Sequence, residues 1–325
     1  MIVPRYWSES KAKTVSNGRS FTVKRFGWSD SSQEDAKYHA ESRLQEALKI
    51  LSETGDVRRI DHKVSYNGGE GIPIREEVVS AHGDIVISRN SYGALCLNTP
   101  NVMFADIDLD DKPPALIGFA IFIFFALVSG FAALQLKSWI VLAGGIFTWM
   151  IISGSISRVI NKKFIDRKGG LELEAMERFK SVSQENPDLH MRVYRTPMGF
   201  RVLFMEDTHD PTSEPTLKLL NSLKSDKLYI QMCRNQHCFR ARVSPKPWRI
   251  GVDRLRPRPG VWPIKPEYLA ERNSWIKNYD DKSQTYSACK FFTKIGSDYV
   301  NSKAEEVRKL HDDFCKGTDE QRMLA

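Results

Sequence analysis

The sequence predicts an α+β chain interrupted by a pair of membrane-spanning helices. Three observations lead there: two uncharged apolar stretches of spanning length near the middle, a turn between them too short for anything but a hairpin, and short β-type runs mixed with helical segments on both sides. With 325 residues the chain can bury a sizeable core. A formal charge of +8 and a pI near 9.1 favour anionic partners such as nucleic acid, nucleotides or a phospholipid surface. Five irregularly spaced cysteines read as reduced thiols rather than as a secreted disulfide framework. The start, MIVPRYWSESKAK, has neither the apolar core nor the cleavage site of a secretory signal.

From the N-terminus, RSFTVKRFGW reads as a strand, and Ser31-Ser32-Gln33-Glu34 as a capping box opening an amphipathic helix that runs to about Leu51. A Gly-rich turn, YNGGEG, precedes three β-type runs, Ile74 to Val79, Asp84 to Ser88 and Val102 to Leu109. The last ends in Asp106, Asp108, Asp110 and Asp111. About 24 uncharged residues then separate Lys112 from Lys137, and about 20 separate Lys137 from Arg158, against the roughly 20 a spanning helix needs. The predicted spans are about 115–135 and 139–158, joined by LQLKSW. Arg158, Lys162, Lys163, Arg167 and Lys168 follow the second span and Lys112 precedes the first, whereas the turn carries Lys137 alone. The positive-inside rule therefore predicts a two-pass integral membrane protein with both termini cytoplasmic. Neither span contains an ionisable residue, which argues against an ion or proton pathway.

Beyond the membrane segment come a helix over 171–184, strands over 190–196 and 200–205 around the turn PMG, a helix over 212–223 and a strand over 228–233, with CFRARVS as the hairpin partner of that last strand. The tail reads as helices near 266–282 and 297–316. Taken with the strand at 102–109, the order is β-α-β-β-α-β, a ferredoxin-like unit with the membrane hairpin inserted after its first strand. Residues 1–112 and 161–325 then form one cytoplasmic domain around the insert at 113–160.

Alternation along a strand puts the Asp106 and Asp108 carboxylates on one face, about 7 Å apart. Such a pair can hold Mg²⁺ or Mn²⁺, and it reads equally as a solvated acidic strand end. In a ferredoxin-like sheet the central hairpin neighbours the first strand, so Arg195, Thr196 and Arg201 can face those acids and receive phosphates, or stand as surface residues of an exposed turn. Between Arg240 and Arg258, seven cations including Arg240, Arg242, Lys246, Arg249 and Arg254 interleave with Phe239 and Trp248. This segment suits a single-stranded nucleic acid or a nucleotide, an anionic lipid surface, or a solvated loop. Cys233, His237, Cys238 and Cys289 do not match a zinc-finger spacing and read better as buried thiols; Cys96 and Cys315 carry no signal. Walker A, G-x-G-x-x-G, H-E-x-x-H and G-x-S-x-G motifs are all missing, which removes the common NTPase and hydrolase classes, and no organic cofactor is expected.

The D-x-D ending the first strand, the T-x-x-G hairpin and the strand leading to a basic segment together resemble the palm core of archaeo-eukaryotic primases and primase-polymerases. The likeness covers about 130 residues outside the insert. It implies that Asp106 and Asp108 are catalytic metal ligands, that Asp226 is a third acidic position, and that Thr196, Gly199 and Arg201 form the nucleotide-phosphate hairpin. The family hairpin usually ends Gly-x-His, where this chain has Gly199, Phe200 and Arg201. FADID is also similar to the first strand of nucleotide cyclases, without their further acids at the hairpin. CFRARVSPKPWRIG and YSACKF resemble segments of an uncharacterised family of bacterial membrane proteins, which implies an inner-membrane location. The expected function is a membrane-anchored, primase-like module that binds nucleotide or nucleic acid, with either metal-dependent nucleotidyl transfer or a purely non-catalytic binding role.

Overall fold

The computed structural model describes residues 3–16, 18–61, 72–109, 113–167, 169–257 and 262–325. Asp110, Asp111, Lys112, Lys168, Arg258 and the Gly-rich segment 66–71 lie outside them. The chain divides into two compact units, one formed by Met1–Ile107 with Ser183–Ala325 and the other by Asp108–Val182.

The first unit opens with a long hairpin, β1 (Tyr6–Ser16) and β2 (Arg19–Ser29), paired antiparallel. Helix α1 (Gln33–Thr54) follows, with Ser32 as N-cap accepting from the Asp35 amide at 3.0 Å, one residue later than the predicted box. Its buried face, Ala36, Ala40, Leu44, Ala47 and Leu51, has the helical spacing of an amphipathic stripe and packs with Phe21 and Val23 of β2. Gly27 has no side chain because a Cβ there would meet the Ala36 and Ala40 backbone. Strands β3 (Glu77–His82), β4 (Ile85–Arg89) and β5 (Leu95–Thr99) form an antiparallel meander. β5 lies outside the elements predicted from the sequence, and β3 starts three residues later than expected. β6 (Phe104–Asp108) is the acidic strand.

The second unit holds α2 (Ala115–Leu136), α3 (Trp139–Arg167) and most of α4 (Leu171–Glu185). α2 and α3 are antiparallel: Gly118 faces Ser157, Phe125 stacks on Trp149, and Gly145 abuts Ser129, pairs that approach the turn step by step. Such small-residue contacts let helix backbones come close. Their best 18-residue windows have mean hydropathies of 2.5 and 1.8 and are only 6% buried, so both are long and apolar enough to cross a membrane. α3 continues past the predicted end through the basic turns to Arg167, because nothing in SRVINKKFIDR breaks a helix.

The chain returns to the first unit with β7 (His190–Thr196) and β8 (Gly199–Phe204), the predicted hairpin. α5 (Glu214–Ser222) follows, capped by Ser213. The predicted closing strand at 228–233 is instead a helix, α6 (Lys227–Gln236). Asp226 caps its first turn and His237 ends it in the left-handed conformation, and Tyr229, Ile230, Cys233 and Gln236 are buried at helical spacing. β9 (Phe239–Arg242) therefore has no hairpin partner there and pairs with β5, giving a sheet of order β3-β4-β5-β9. After α7 (Leu269–Ser283) come β10 (Tyr286–Ser287), β11 (Lys290–Gly296), α8 (Ser302–Cys315) and β12 (Met323–Leu324). β10 and β12 form a short parallel pair. β11, outside the elements predicted from the sequence, joins the other four-stranded sheet, whose order is β11-β7-β8-β6. The β6-β8-β7 order is what a ferredoxin-like unit requires. Its fourth strand, expected beside β6, is not formed, and the sheet grows at the opposite edge instead.

Candidate functional site

Across β7 and β8, Tyr194 lies opposite Arg201, and Arg195 lies opposite Phe200. Facing residues of an antiparallel pair share a side of the sheet, so Arg201 and Arg195 point to opposite faces. Arg201 meets Asp106 of β6, with Nη2 donating to Oδ1 at 3.4 Å, while Nη1 donates to the Arg242 carbonyl at 2.7 Å. Arg195 places its guanidinium 4.6 Å from the Phe292 ring on the other face. Thr196 pairs with Gly199 at the turn end, on the Arg201 side. Asp108 ends β6 and is exposed. Asp226 donates its amide to the Asp106 carbonyl at 2.8 Å, but its carboxylate accepts from the Tyr229 amide at 2.7 Å as a helix cap. Arg240 is buried and held by both carboxylate oxygens of Glu76, at 2.8 and 2.7 Å.

The predicted phosphate-receiving groups thus divide. Arg201 and Asp106 do face each other, as a buried cation against a carboxylate one-third exposed. Burial works against the Arg201 charge, but Asp106 and the neighbouring thiols Cys289 and Cys315 hold its pKa above the ordinary arginine value.

Behind that pair lies a cluster the sequence did not reveal. Cys289 precedes β11, while His311 and Cys315 sit four residues apart on one face of α8. His311 Nε2 is 3.7 Å from Cys289 Sγ and 3.5 Å from Cys315 Sγ, and the three atoms lie within 4.8 Å of one another. Among the described residues this is the one group of three or more His, Cys, Asp or Glu side chains close enough to share a metal ion. The ring is flanked by Tyr194 and Phe104, with centroids at 4.6 and 5.2 Å. Its Nδ1 faces Asp312 Oδ1 at 3.2 Å, and Asp312 in turn accepts from Tyr194 Oη at 2.6 Å, Arg308 at 2.8 Å and Arg192 at 3.3 Å. Burial alone would raise the Cys289 pKa, yet the Cys315 thiol donating to it and the His311 charge bring it well below the usual thiol range. Cys315, buried and acting as that donor, is raised. His311 is raised despite its burial, by Cys289 and Asp312. Cys233 and Cys238 take no part in this group; burial raises both thiols, Cys238 to about 12.

A third feature is a cleft of about 560 Å³ lined by Trp248, Val252, Asp253, Arg256, Trp275 and Asn278. Lys246 Nζ and the Arg254 guanidinium lie 5.7 and 5.1 Å from the Trp248 ring, and the Tyr92 ring is 5.3 Å from it. Trp275, which also lines the cleft, stacks on Tyr279 and donates its Nε1–H to the Asp253 carbonyl at 3.1 Å. Of the basic segment singled out in the sequence, Trp248 and Arg256 line the cleft and Lys246 and Arg254 lie against the indole, whereas Arg240 is buried on Glu76.

Comparison of the chain with protein-family models, curated proteins and solved structures gives no significant match.

Proposed function

We propose that the protein is a membrane-anchored module that binds a nucleotide through the Trp248 cleft, without catalysing its transfer. The observation that carries this reading is a half-exposed indole that lines, with Arg256, a concavity of about 560 Å³ and has Lys246 and Arg254 beside its ring. That volume falls within the roughly 300–1,000 Å³ usual for small-molecule sites. A π-face for a base next to cations for phosphates is the chemistry a nucleotide selects. The anchor is the α2–α3 hairpin, with Leu116, Phe119, Leu127, Phe131 and Leu134 turned outward to meet lipid tails. The cation distribution orients it with both termini in the cytoplasm.

The alternative is metal-dependent nucleotidyl transfer on a primase-like palm, with Mg²⁺ or Mn²⁺ on Asp106, Asp108 and Asp226. The geometry favours it less, because Arg201 already neutralises Asp106 and the Asp226 carboxylate serves α6. The test is equilibrium binding of a fluorescent nucleoside triphosphate and of an oligothymidylate to the full chain in nanodiscs. Trp248→Ala should weaken triphosphate binding by about 5- to 150-fold, the effect of losing one base-stacking partner worth about 1–3 kcal/mol. Arg254→Ala should reduce the salt dependence. Equal affinity in wild type and Trp248→Ala removes the cleft from consideration. Tighter binding that requires Mn²⁺ and disappears in Asp106→Asn/Asp108→Asn returns the site to the acidic strand.

A further inference from the structure

We propose that Cys289, His311 and Cys315 form a structural zinc site that fastens the C-terminal helix to the segment entering β11. This rests on geometry independent of the nucleotide cleft. Zn²⁺ binds thiolate sulfur at about 2.3 Å and imidazole nitrogen at about 2.0–2.1 Å in a tetrahedral arrangement, which fixes the sulfur–nitrogen separation of neighbouring ligands at about 3.6 Å. Here the two separations are 3.7 and 3.5 Å. The ring is oriented for ligation from its other side as well. Asp312 accepts from Nδ1, which leaves Nε2, on the other side of the ring and facing both sulfurs, as the ligating nitrogen. Tyr194, Arg192 and Arg308 hold that carboxylate in place, the outer hydrogen bonding a metal-bound histidine usually has.

Charge is consistent with this assignment. Two thiolates balance a divalent cation, and Arg201, whose charge acts on both sulfurs, is already matched by Asp106. Competing uses of the cluster fit less well. A nucleophilic cysteine needs a path to its substrate, whereas Cys289 and His311 have no exposed surface and Cys315 has 1%. A Cys289–Cys315 disulfide would use both sulfurs and leave Nε2, buried and aimed at them, with nothing to bind. The three ligands leave a fourth coordination position for water or a protein oxygen, and the burial of the group gives the ion a role in stability rather than in turnover.

The test uses the full chain purified in detergent under reducing conditions, with zinc measured by inductively coupled plasma mass spectrometry. One zinc per chain is expected. Replacement by Co²⁺ should give thiolate-to-cobalt charge-transfer absorption and the strong visible bands of a tetrahedral site. His311→Gln and Cys315→Ser should lose the metal, Asp312→Asn should weaken it by about 10- to 100-fold, and Cys233→Ser should retain it. X-ray absorption of the wild type stands even where a variant fails to fold: two sulfurs at about 2.3 Å with nitrogen or oxygen at about 2.0 Å support the site. A metal-free chain that takes up no cobalt, a ligand shell without sulfur, a native Cys289–Cys315 disulfide in the alkylated protein, or full zinc in a folded His311→Gln variant would each overturn it.

Discussion

Removing the Asp106 carboxylate tests what Arg201 does. The Arg201 side chain is 4% exposed and has two partners, the Asp106 carboxylate and the Arg242 carbonyl. Asp106→Ala leaves a buried guanidinium with the carbonyl alone. Breaking a fully buried ion pair from one side costs about 3–5 kcal/mol. Because Asp106 is one-third open to water, which already screens the pair, we expect about 2–3 kcal/mol. For a body of this size that corresponds to a fall in Tm of about 4–12 °C. Arg201→Met strands only a carboxylate that water reaches, so its cost should be smaller, about 1–2 kcal/mol. The double variant should be less destabilised than the sum of the two by about 1 kcal/mol or more. The assay is thermal unfolding of the full chain in detergent, followed by tryptophan fluorescence. If Asp106→Ala leaves Tm unchanged or raises it, Asp106 is not a structural partner of Arg201 but an acid held at a stability cost, as functional acids often are, and the catalytic reading regains its footing.

Cys238, buried and with its pKa pushed up to about 12, should resist iodoacetamide at pH 8 in the folded chain and react once urea unfolds it, as mass spectrometry of the alkylated peptides will show. The folded thiol binds its proton more tightly than the unfolded one, whose pKa is about 8.5, so its contribution to stability is complete below that value and declines as pH rises toward 12. Cys238→Ala should flatten the alkaline limb of the stability curve. Gly27→Ala should destabilise the β2–α1 contact by about 3 kcal/mol or more, measured by urea unfolding, because the new methyl would overlap the Ala40 amide and the Ala36 carbonyl, which are backbone and cannot turn away. Reporter fusions at residues 1 and 325 should both read cytoplasmic; opposite readings would remove the hairpin orientation.

Local signals made much of the fold legible. The β7–β8 hairpin announces itself by alternation around PMG, α1 by its serine cap and apolar stripe, and α2 and α3 by length and lack of charge. The expectation of a strand at α6 rests on Tyr229 and Ile230 and on the β-type CFRARVS that follows, whereas Lys227, Leu228, Gln231 and Met232 favour helix and the deciding features are the Asp226 cap and burial at positions 229, 230, 233 and 236. That one substitution of helix for strand has consequences beyond its ten residues. It turns Asp226 from a prospective metal ligand into a cap and frees β9 to complete the sheet of β3, β4 and β5. In doing so it brings the Arg242 carbonyl to the Arg201 guanidinium and the Cys315 thiol.

The thiol–imidazole cluster was illegible for a different reason. Its nearest sequence signal is His311-x₃-Cys315 on an amphipathic helix, and the third member lies 22 residues earlier than His311, beside a strand outside the elements the sequence predicts. Only β11 joining the edge of β7 carries Cys289 under α8, and edge pairing is decided by which neighbouring strand is available, not by the strand's own residues. Motif reading put the metal chemistry on the acidic strand because carboxylate pairs repeat at short range there. The fold brings soft donors together where two distant segments cross, and Arg201 interacts with both Asp106 and the two thiols. A charge introduced at Arg201 should therefore be felt on both sides: Arg201→Glu should lower zinc retention as well as Tm, whereas Arg195→Glu, on the opposite face, should leave the metal content unchanged.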